Sequence, residues 1–151
     1  MATWAEFSAA APALAERGER LLRRGGYIGT VAADGSPRVH PVTPLINGGR
    51  LFVFVGRATV KFANLRRDPR FALHAPLGES DEEFVVPGRV VAADDPDSEA
   101  LAWEAARAIG MVSKNHLLME FLPASVHWAV WEALGTPDIR RVSERWSDPE
   151  G

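Results

Sequence analysis

The sequence predicts an α+β fold in which six or more antiparallel strands form a meander and close into a closed or split barrel, with helices before and between the strands. Apolar runs of strand length recur about every 8–12 residues and are separated by Gly, Pro, Asn and Asp. Segments with helical spacing lie at the N-terminus and twice between strands. The chain has 151 residues, 46% of them apolar and 25% charged, which predicts one globular domain over residues 1–151.

Two short helices are expected before the first strand. Thr3 and Glu6 have the spacing of a capping box, and Pro12 is placed to begin a second helix at its first position. The apolar stripe of this second helix consists of Leu14, Leu21 and Leu22. The glycine pair at residues 25–26 ends the helix.

The next segments predict three strands and a turn. Residues 27–33 form the first strand, and Asp-Gly-Ser-Pro at 34–37 is a strong hairpin turn. Residues 38–46 form the return strand, and the continuous apolar run at 50–56 is a strand buried on both faces. We expect the strands that begin at residues 38 and 50 to lie side by side in a hairpin.

The rest of the chain alternates in the same way. A short helix at 59–67 ends at Asp68-Pro69. Further strands are expected at residues 70–75, 84–93, 117–122, 126–133 and 139–146. An acidic loop at 76–83 is expected to be solvated. A third helix has Pro96 at its first position, and its buried side is expected to contain Leu101, Ala105 and either Ala108 or Ile109.

Several classes of protein are disfavoured by composition. Zero cysteines exclude a disulfide scaffold, a thiolate zinc site and a cysteine nucleophile. The net charge of −3 argues against a nucleic-acid partner. The first 24 residues carry three glutamates and no basic start, and no apolar run approaches membrane length, so a cytoplasmic protein is expected. The four histidines lack metal-ligand spacing, so no metal site is expected.

One group of residues has the chemistry of a phosphate site. Arg38 begins a strand, and Thr59 and Lys61 open the helix after the next strand. A helix N-terminus presents free N–H groups to an anion, Lys61 adds a charge, and Arg38 adds a guanidinium fork. The alternative is that Thr59 only caps the helix while Lys61 and Arg38 are solvated.

Two segments resemble the pyridoxamine 5′-phosphate oxidase-like, FMN-binding split-barrel superfamily. Residues 29–44 contain the hairpin with its Gly-x-Pro turn, and residues 59–70 contain Thr-x-Lys-x-x-Asn-Leu followed by Asp-Pro-Arg. The Pro87-Gly88-Arg89 strand and the Asp94-Asp95-Pro96 helix start also fit. The resemblance covers roughly residues 7–146 and implies a flavin as cofactor.

The resemblance assigns roles by position. Arg38, Thr59 and Lys61 would bind the flavin phosphate. The ring or ribityl chain would be bordered by Val39, His40, Pro41, Val42, Thr43, Phe54 and Val55. The cofactor would lie at a homodimer interface. Trp128 and Trp131 are weak candidates for the second copy's contribution, since a tryptophan on a late strand is more often a core residue or a plain dimer contact.

Departures from the family pattern limit what the resemblance implies. The true oxidase has basic residues where this chain has Thr43 and Val60, and a C-terminal Arg-x-His that is absent after Glu120. Oxidation of vitamin B6 is therefore not expected. No side chain is an evident acid or base, and His40 is a weak candidate proton donor.

Three hypotheses follow. The leading one is a homodimeric FMN-dependent oxidoreductase that acts on an unidentified small molecule. The second places the deazaflavin F420 in the same pocket, where Arg57, Arg66 and Arg67 either bind its acidic tail or form a solvated helix face. The third is a binding protein without catalysis that stores or senses a flavin or haem.

Overall fold

The computed structural model describes all residues from 1 to 151 and contains four α-helices and nine strands. The helices are α1 (Trp4–Ala10), α2 (Pro12–Leu22), α3 (Val60–Arg67) and α4 (Pro96–Ala108). The strands are β1 (Gly26–Val31), β2 (Pro37–Val42), β3 (Leu45–Asn47), β4 (Arg50–Gly56), β5 (Arg70–His74), β6 (Glu83–Ala92), β7 (His116–Pro123), β8 (Ser125–Glu132) and β9 (Arg140–Ser147). A short 3-10 helix spans Glu79–Asp81.

The N-terminal helices form as their capping residues predict. The Thr3 hydroxyl accepts the Glu6 N–H, and the Glu6 carboxylate accepts the Thr3 N–H, which completes the predicted capping box. Pro12 occupies the first position of α2. The predicted stripe of Leu14, Leu21 and Leu22 is buried, so α2 packs this face against the sheet.

All nine strands belong to one antiparallel sheet, which confirms the predicted α+β split barrel. The main strand order is β2-β1-β5-β6-β7-β4-β3, with β8 paired to β6 and β9 paired to β8. Strand β6 pairs with β8 through its first residues and with β7 from Gly88 onward. This long strand therefore joins the barrel to the C-terminal hairpin.

Two apolar cores lie on the two faces of β4. Leu51, Val53 and Val55 belong to the core inside the barrel, while Phe52 and Phe54 belong to a second core that α4 covers. This alternation follows from the two-residue period of a strand. The prediction of a strand buried on both faces is confirmed.

The expected return strand at residues 38–46 is wrong, because it is two strands. β2 ends at Val42, and β3 begins at Leu45 after Thr43 and Pro44. Proline has no N–H for a ladder hydrogen bond, and the chain changes partner there. β2 pairs with β1, whereas β3 pairs with β4. The expected side-by-side placement of β2 and β4 is therefore also wrong.

Two smaller expectations are corrected by packing. The fully buried side of α4 consists of Ser98, Ala102 and Ala106, whereas Ala108 is exposed and Ile109 is 60% exposed. Small side chains at this spacing let the helix lie close to the sheet. The acidic loop is not fully solvated either, because Glu82 exposes only 9% of its surface and is paired with Arg20.

No helix of the chain combines the length and apolarity needed to cross a membrane.

Candidate functional site

The site begins on β2, where alternate residues face opposite sides of the sheet. Arg38 lies opposite Thr30 and His40 opposite Ile28 in the β1–β2 register. Thr30 and Ile28 are buried, and directly opposed residues of an antiparallel pair share a face. Arg38 and His40, with Val42 two residues further on, therefore lie on the inner face of the sheet, while Val39 and Pro41 lie on the outer face.

The loop between β4 and α3 is held by its own hydrogen bonds. The Thr59 hydroxyl donates to the Gly56 carbonyl at 2.7 Å and accepts the Phe62 N–H at 3.3 Å, as a helix cap does. Arg57 donates its backbone N–H to the Asn115 carbonyl at 2.9 Å. The N–H groups of the first two α3 residues, Val60 and Lys61, have no acceptor in the protein. This end of α3 can therefore donate to an anion.

Helix α3 reaches β2 through β1. The Asn64 side-chain amide donates to the Thr30 hydroxyl at 3.0 Å, and Arg67 donates to the Val31 carbonyl at 2.5 Å. Thr30 is the residue opposite Arg38. Arg38 is thus linked to α3 through Thr30, and not through the predicted β2–β4 pairing. That Arg38, Thr59 and Lys61 form one phosphate site stays a prediction.

Positive charge around α3 is not neutralised by carboxylates. No carboxylate lies within ion-pair distance of Arg38, Arg57, Lys61, Arg66 or Arg67. The Asp68 carboxylate, just after α3, is bound by Arg70, which lowers the pKa of Asp68 to about 2. Asp34 in the β1–β2 turn accepts from Ser36, and these hydrogen bonds, with a smaller contribution from Arg38, lower its pKa. The region has the charge that an anionic group requires.

The other predicted residues are dispersed. Thr43 lies past the end of β2, in a groove of about 320 Å³ between α2, β3 and α4. Phe54 packs against Trp103 and His116. Its ring centroid is 4.5 Å from the centroid of each of these two rings. The Val55 side chain is fully buried in the barrel core. Both side chains thus pack within this chain, and their contact with a cofactor stays a prediction.

Two tryptophans were weak candidates for a second copy's contribution. Trp128 is 8% exposed and donates its indole N–H to Glu82 at 2.8 Å, so it is a core residue of this chain. Trp131 lies half-buried further along β8.

Polar groups without partners indicate where a ligand fits. Nε2 of His40 is buried and has no hydrogen-bond partner, and His40 shares the inner face of β2 with Arg38. Together with the free N–H groups of α3 and the unpaired cations, this donor set fits a ligand that carries a phosphate.

Sequence reasoning missed Thr30 and Asn64, which join α3 to the sheet. Asn64 carried a signal, because asparagine is disfavoured inside a helix, and this one lies between Phe62 and Leu65 on a short helix. An interior asparagine in such a position indicates a buried hydrogen-bond partner.

The fold is shared with several solved structures. A haem-binding protein from Mycobacterium smegmatis is 21% identical, with a TM-score of 0.58, and the match covers 80% of this chain and 52% of that one. A NimC/NimA family protein from Clostridium acetobutylicum is 18% identical, with a TM-score of 0.62. The match covers 85% of this chain and 91% of that one. A pyridoxamine 5′-phosphate oxidase-related, FMN-binding protein from Nostoc punctiforme is 12% identical, with a TM-score of 0.56. The match covers 93% of this chain and 96% of that one.

These identities show likeness of fold alone, and this chain spans about half the length of the Mycobacterium protein. No curated protein matches the sequence. The sequence model of the pyridoxamine 5′-phosphate oxidase family matches residues 21–127, a range that contains β1 to β7, both α3 and α4, and every residue of the phosphate-binding region. The split barrel, the basic strand and helix, and this match agree, and the chain belongs to the pyridoxamine 5′-phosphate oxidase family.

Proposed function

We propose that the protein is a homodimeric, FMN-dependent oxidoreductase that acts on a small molecule. The observation that carries the proposal is that Arg38 of β2 and Lys61 in the first turn of α3 have no carboxylate within ion-pair distance. A phosphate placed there would gain hydrogen bonds from backbone N–H groups and charge from Lys61 and Arg38. Membership of this family supports a flavin as the group that carries the phosphate.

The residues of the chain would bind and orient the cofactor. Arg38 and Lys61 would hold the phosphate, and the inner face of β2 with His40 and Val42 would lie along the rest of the molecule. The isoalloxazine ring supplies hydride chemistry when bound, while the protein positions it and excludes water. Nε2 of His40, which has no protein partner, would then have a polar atom to pair with.

Replacing Lys61 with Ala is expected to weaken FMN binding by about 10- to 100-fold, because a charge-assisted hydrogen bond to the phosphate is lost. Binding is measured by quenching of flavin fluorescence. Riboflavin, which lacks the phosphate, should bind the variant and the wild type equally. Arg145→Ala is the matched control, since Arg145 is an exposed cation of β9 without an ion pair. Equal FMN affinity in Lys61→Ala and wild type would contradict the phosphate site.

A second copy of the chain would cover the outer face of β1, β2 and β5. Val39 is 68% exposed and Tyr27 is 50% exposed. Pro41 and Ala72 are also exposed, and the strand register puts them on the same outer face. A contiguous apolar face of this kind marks an interaction surface. Because β2 also carries Arg38, a copy bound here would lie beside the proposed cofactor site.

Replacing Val39 with Asp is expected to raise the dimer dissociation constant at least about tenfold, because a carboxylate would be buried without a partner. The mass in solution is measured by light scattering over a dilution series. Leu134→Asp is the control, since Leu134 is 48% exposed in the distant β8–β9 turn. A wild-type protein that stays monomeric at high concentration would overturn the homodimer.

One observation favours F420 as a second candidate cofactor. Arg57 and Arg66 both lie near Phe62, with guanidinium carbons 5.9 and 5.8 Å from the ring centroid. Neither has a carboxylate partner. Arg57 donates Nε to the His116 carbonyl at 3.1 Å, which leaves its two terminal nitrogens, and the whole guanidinium of Arg66, for an acidic tail. Arg67 is less suited to this role because it donates to Val31 and Asn64.

Parallel titrations with FMN, F420 and haem separate these candidates. We expect FMN to bind most tightly, and Arg57→Ala with Arg66→Ala to leave FMN affinity unchanged. If F420 binds more tightly than FMN, and the double variant abolishes that binding, F420 and not FMN is the cofactor. A protein that binds FMN but never reoxidises the reduced flavin with conjugated acceptors would be a binding protein. Pyridoxamine phosphate should not be oxidised, since the Arg-x-His that the true oxidase uses for its phosphorylated substrate is absent after Glu120.

A further inference from the structure

We propose that Asn64 is a positioning residue that sets the distance between the two halves of the phosphate site. The inference rests on the proposed function, since it concerns the same site. Arg38 lies on β2 and Lys61 on α3. Strand β2 is hydrogen-bonded only to β1, so the sheet does not itself connect Arg38 to the helix. The hydrogen bond from Asn64 to Thr30 is the polar link between the helix and the sheet at this point.

The link is buried and has a single geometry. Asn64 and Thr30 are each 3% exposed. The Asn64 amide nitrogen donates to the Thr30 hydroxyl at 3.0 Å, and its oxygen accepts from Arg67 at 3.3 Å. Arg67 also donates to the carbonyl of Val31, the residue after Thr30. Arg67 is exposed, but Asn64 and Thr30 are closed to water, so a shift of α3 along β1 would leave these two buried polar groups unpaired.

The same residues connect the two cations in short steps. Lys61 and Asn64 are three apart on a helix, which puts their Cβ atoms about 5–6 Å from each other on one face. Thr30 and Arg38 are directly opposed across β1 and β2, with Cβ atoms about 5 Å apart. The Asn64–Thr30 hydrogen bond closes the gap between these pairs. This buried hydrogen bond, together with the Arg67–Val31 contact, therefore fixes the position of Lys61 relative to Arg38.

An apolar pair would satisfy packing alone. Asparagine lowers helix propensity relative to leucine, and Leu65 beside it is buried in the barrel core. A polar pair with one allowed geometry specifies the position of α3, whereas an apolar contact tolerates sliding. The choice of residue is explained if the helix must hold Lys61 at a fixed place.

The test measures the affinity for FMN relative to that for riboflavin, which isolates the contribution of the phosphate. Thr30→Val keeps the shape of the side chain but removes the hydroxyl, and Thr30→Ser keeps the hydroxyl. We expect Thr30→Val and Asn64→Leu to reduce the FMN preference about tenfold, with riboflavin affinity unchanged. Thr30→Ser should retain the wild-type preference. The double variant Thr30→Val with Asn64→Leu leaves neither polar partner and should fold, yet lack the preference.

Ser98→Ala controls for a general loss of stability. Ser98 is fully buried and hydrogen-bonded to Asp95 and Arg50, in the part of the fold that anchors α4. It should lower stability without changing the preference for FMN. If the wild type prefers FMN and the Thr30 and Asn64 variants keep that preference, Asn64 has a structural role only. If the wild type shows no preference, the proposed phosphate site fails, and the inference with it.

Discussion

Replacing Gly88 with Ala is expected to lower the free energy of unfolding by about 3 kcal/mol or more. A Cβ atom at this position would lie 2.1 Å from the Leu122 carbonyl oxygen and 3.1 Å from the Pro123 Cα. These are backbone atoms of β7, so no side-chain rotation relieves the clash. Gly88 is also the point from which β6 pairs with β7, opposite Pro123. A displaced strand would therefore loosen the barrel at its longest strand.

The free energy is measured by urea unfolding, followed by tryptophan fluorescence. In thermal unfolding, the melting temperature is expected to fall by about 10 °C. Gly29→Ala is the matched control, since Gly29 also lies within a strand and its added Cβ would meet Ala72 at an ordinary 3.6 Å. That variant should change stability by less than about 1 kcal/mol. Equal stability of the two variants would show that β6 and β7 are not so closely packed at Gly88.

Replacing Arg20 with Ala is expected to cost about 2–3 kcal/mol at neutral pH, because a buried carboxylate loses its counter-ion. Arg20 donates to Glu82 at 2.6 and 3.1 Å, and the Trp128 indole donates to the same carboxylate at 2.8 Å. Glu82 exposes 9% of its surface. The ion pair fastens α2 to the segment before β6, which explains why this acidic residue is not solvated.

The loss should depend on pH in a definite direction. Arg20, followed by Trp128, holds the pKa of Glu82 below its ordinary value. A carboxyl with a lowered pKa in the folded state stabilises the protein above its unfolded pKa and loses that contribution as the pH falls through the folded value. Without Arg20 the pKa of Glu82 rises. The deficit of the variant is then largest at neutral pH and shrinks as the pH falls through the lowered pKa of Glu82, because the carboxyl becomes protonated there.

Denaturant unfolding of Arg20→Ala and wild type at about pH 7 and at about pH 3, below the ordinary pKa of a glutamate, checks this expectation. Arg24→Ala is the control, since Arg24 is exposed and donates only to the Leu77 carbonyl. A deficit of the same size at both pH values would mean that lost packing of the Arg20 side chain, and not the charge of Glu82, causes the destabilisation.

Local signals were sufficient for most elements of the fold. The capping box of Thr3, the proline that begins α2, the turn at residues 34–37 and the cap at Thr59 each act within a few residues, so their patterns can be found in the chain. The alternation within β4 likewise follows from side-chain geometry alone. The three residues of the proposed phosphate site could be selected from the sequence. Thr59 and Lys61 lie together at the start of a helix, and Arg38 begins a strand.

Apart from the β1–β2 hairpin, which the turn at residues 34–37 predicted, the partners of the strands were decided only by the tertiary structure. A strand has two edges, and local sequence does not specify which strand pairs with each edge. The chain breaks at Pro44, so that β2 pairs with β1 while β3 pairs with β4. The burial of Glu82 depends on Arg20, which is 62 residues away in the chain. The contact of Asn64 with Thr30 spans 34 residues. The sequence alone thus predicted the side chains of the proposed phosphate site, and long-range packing determined how the strands and the helix that carry them are arranged.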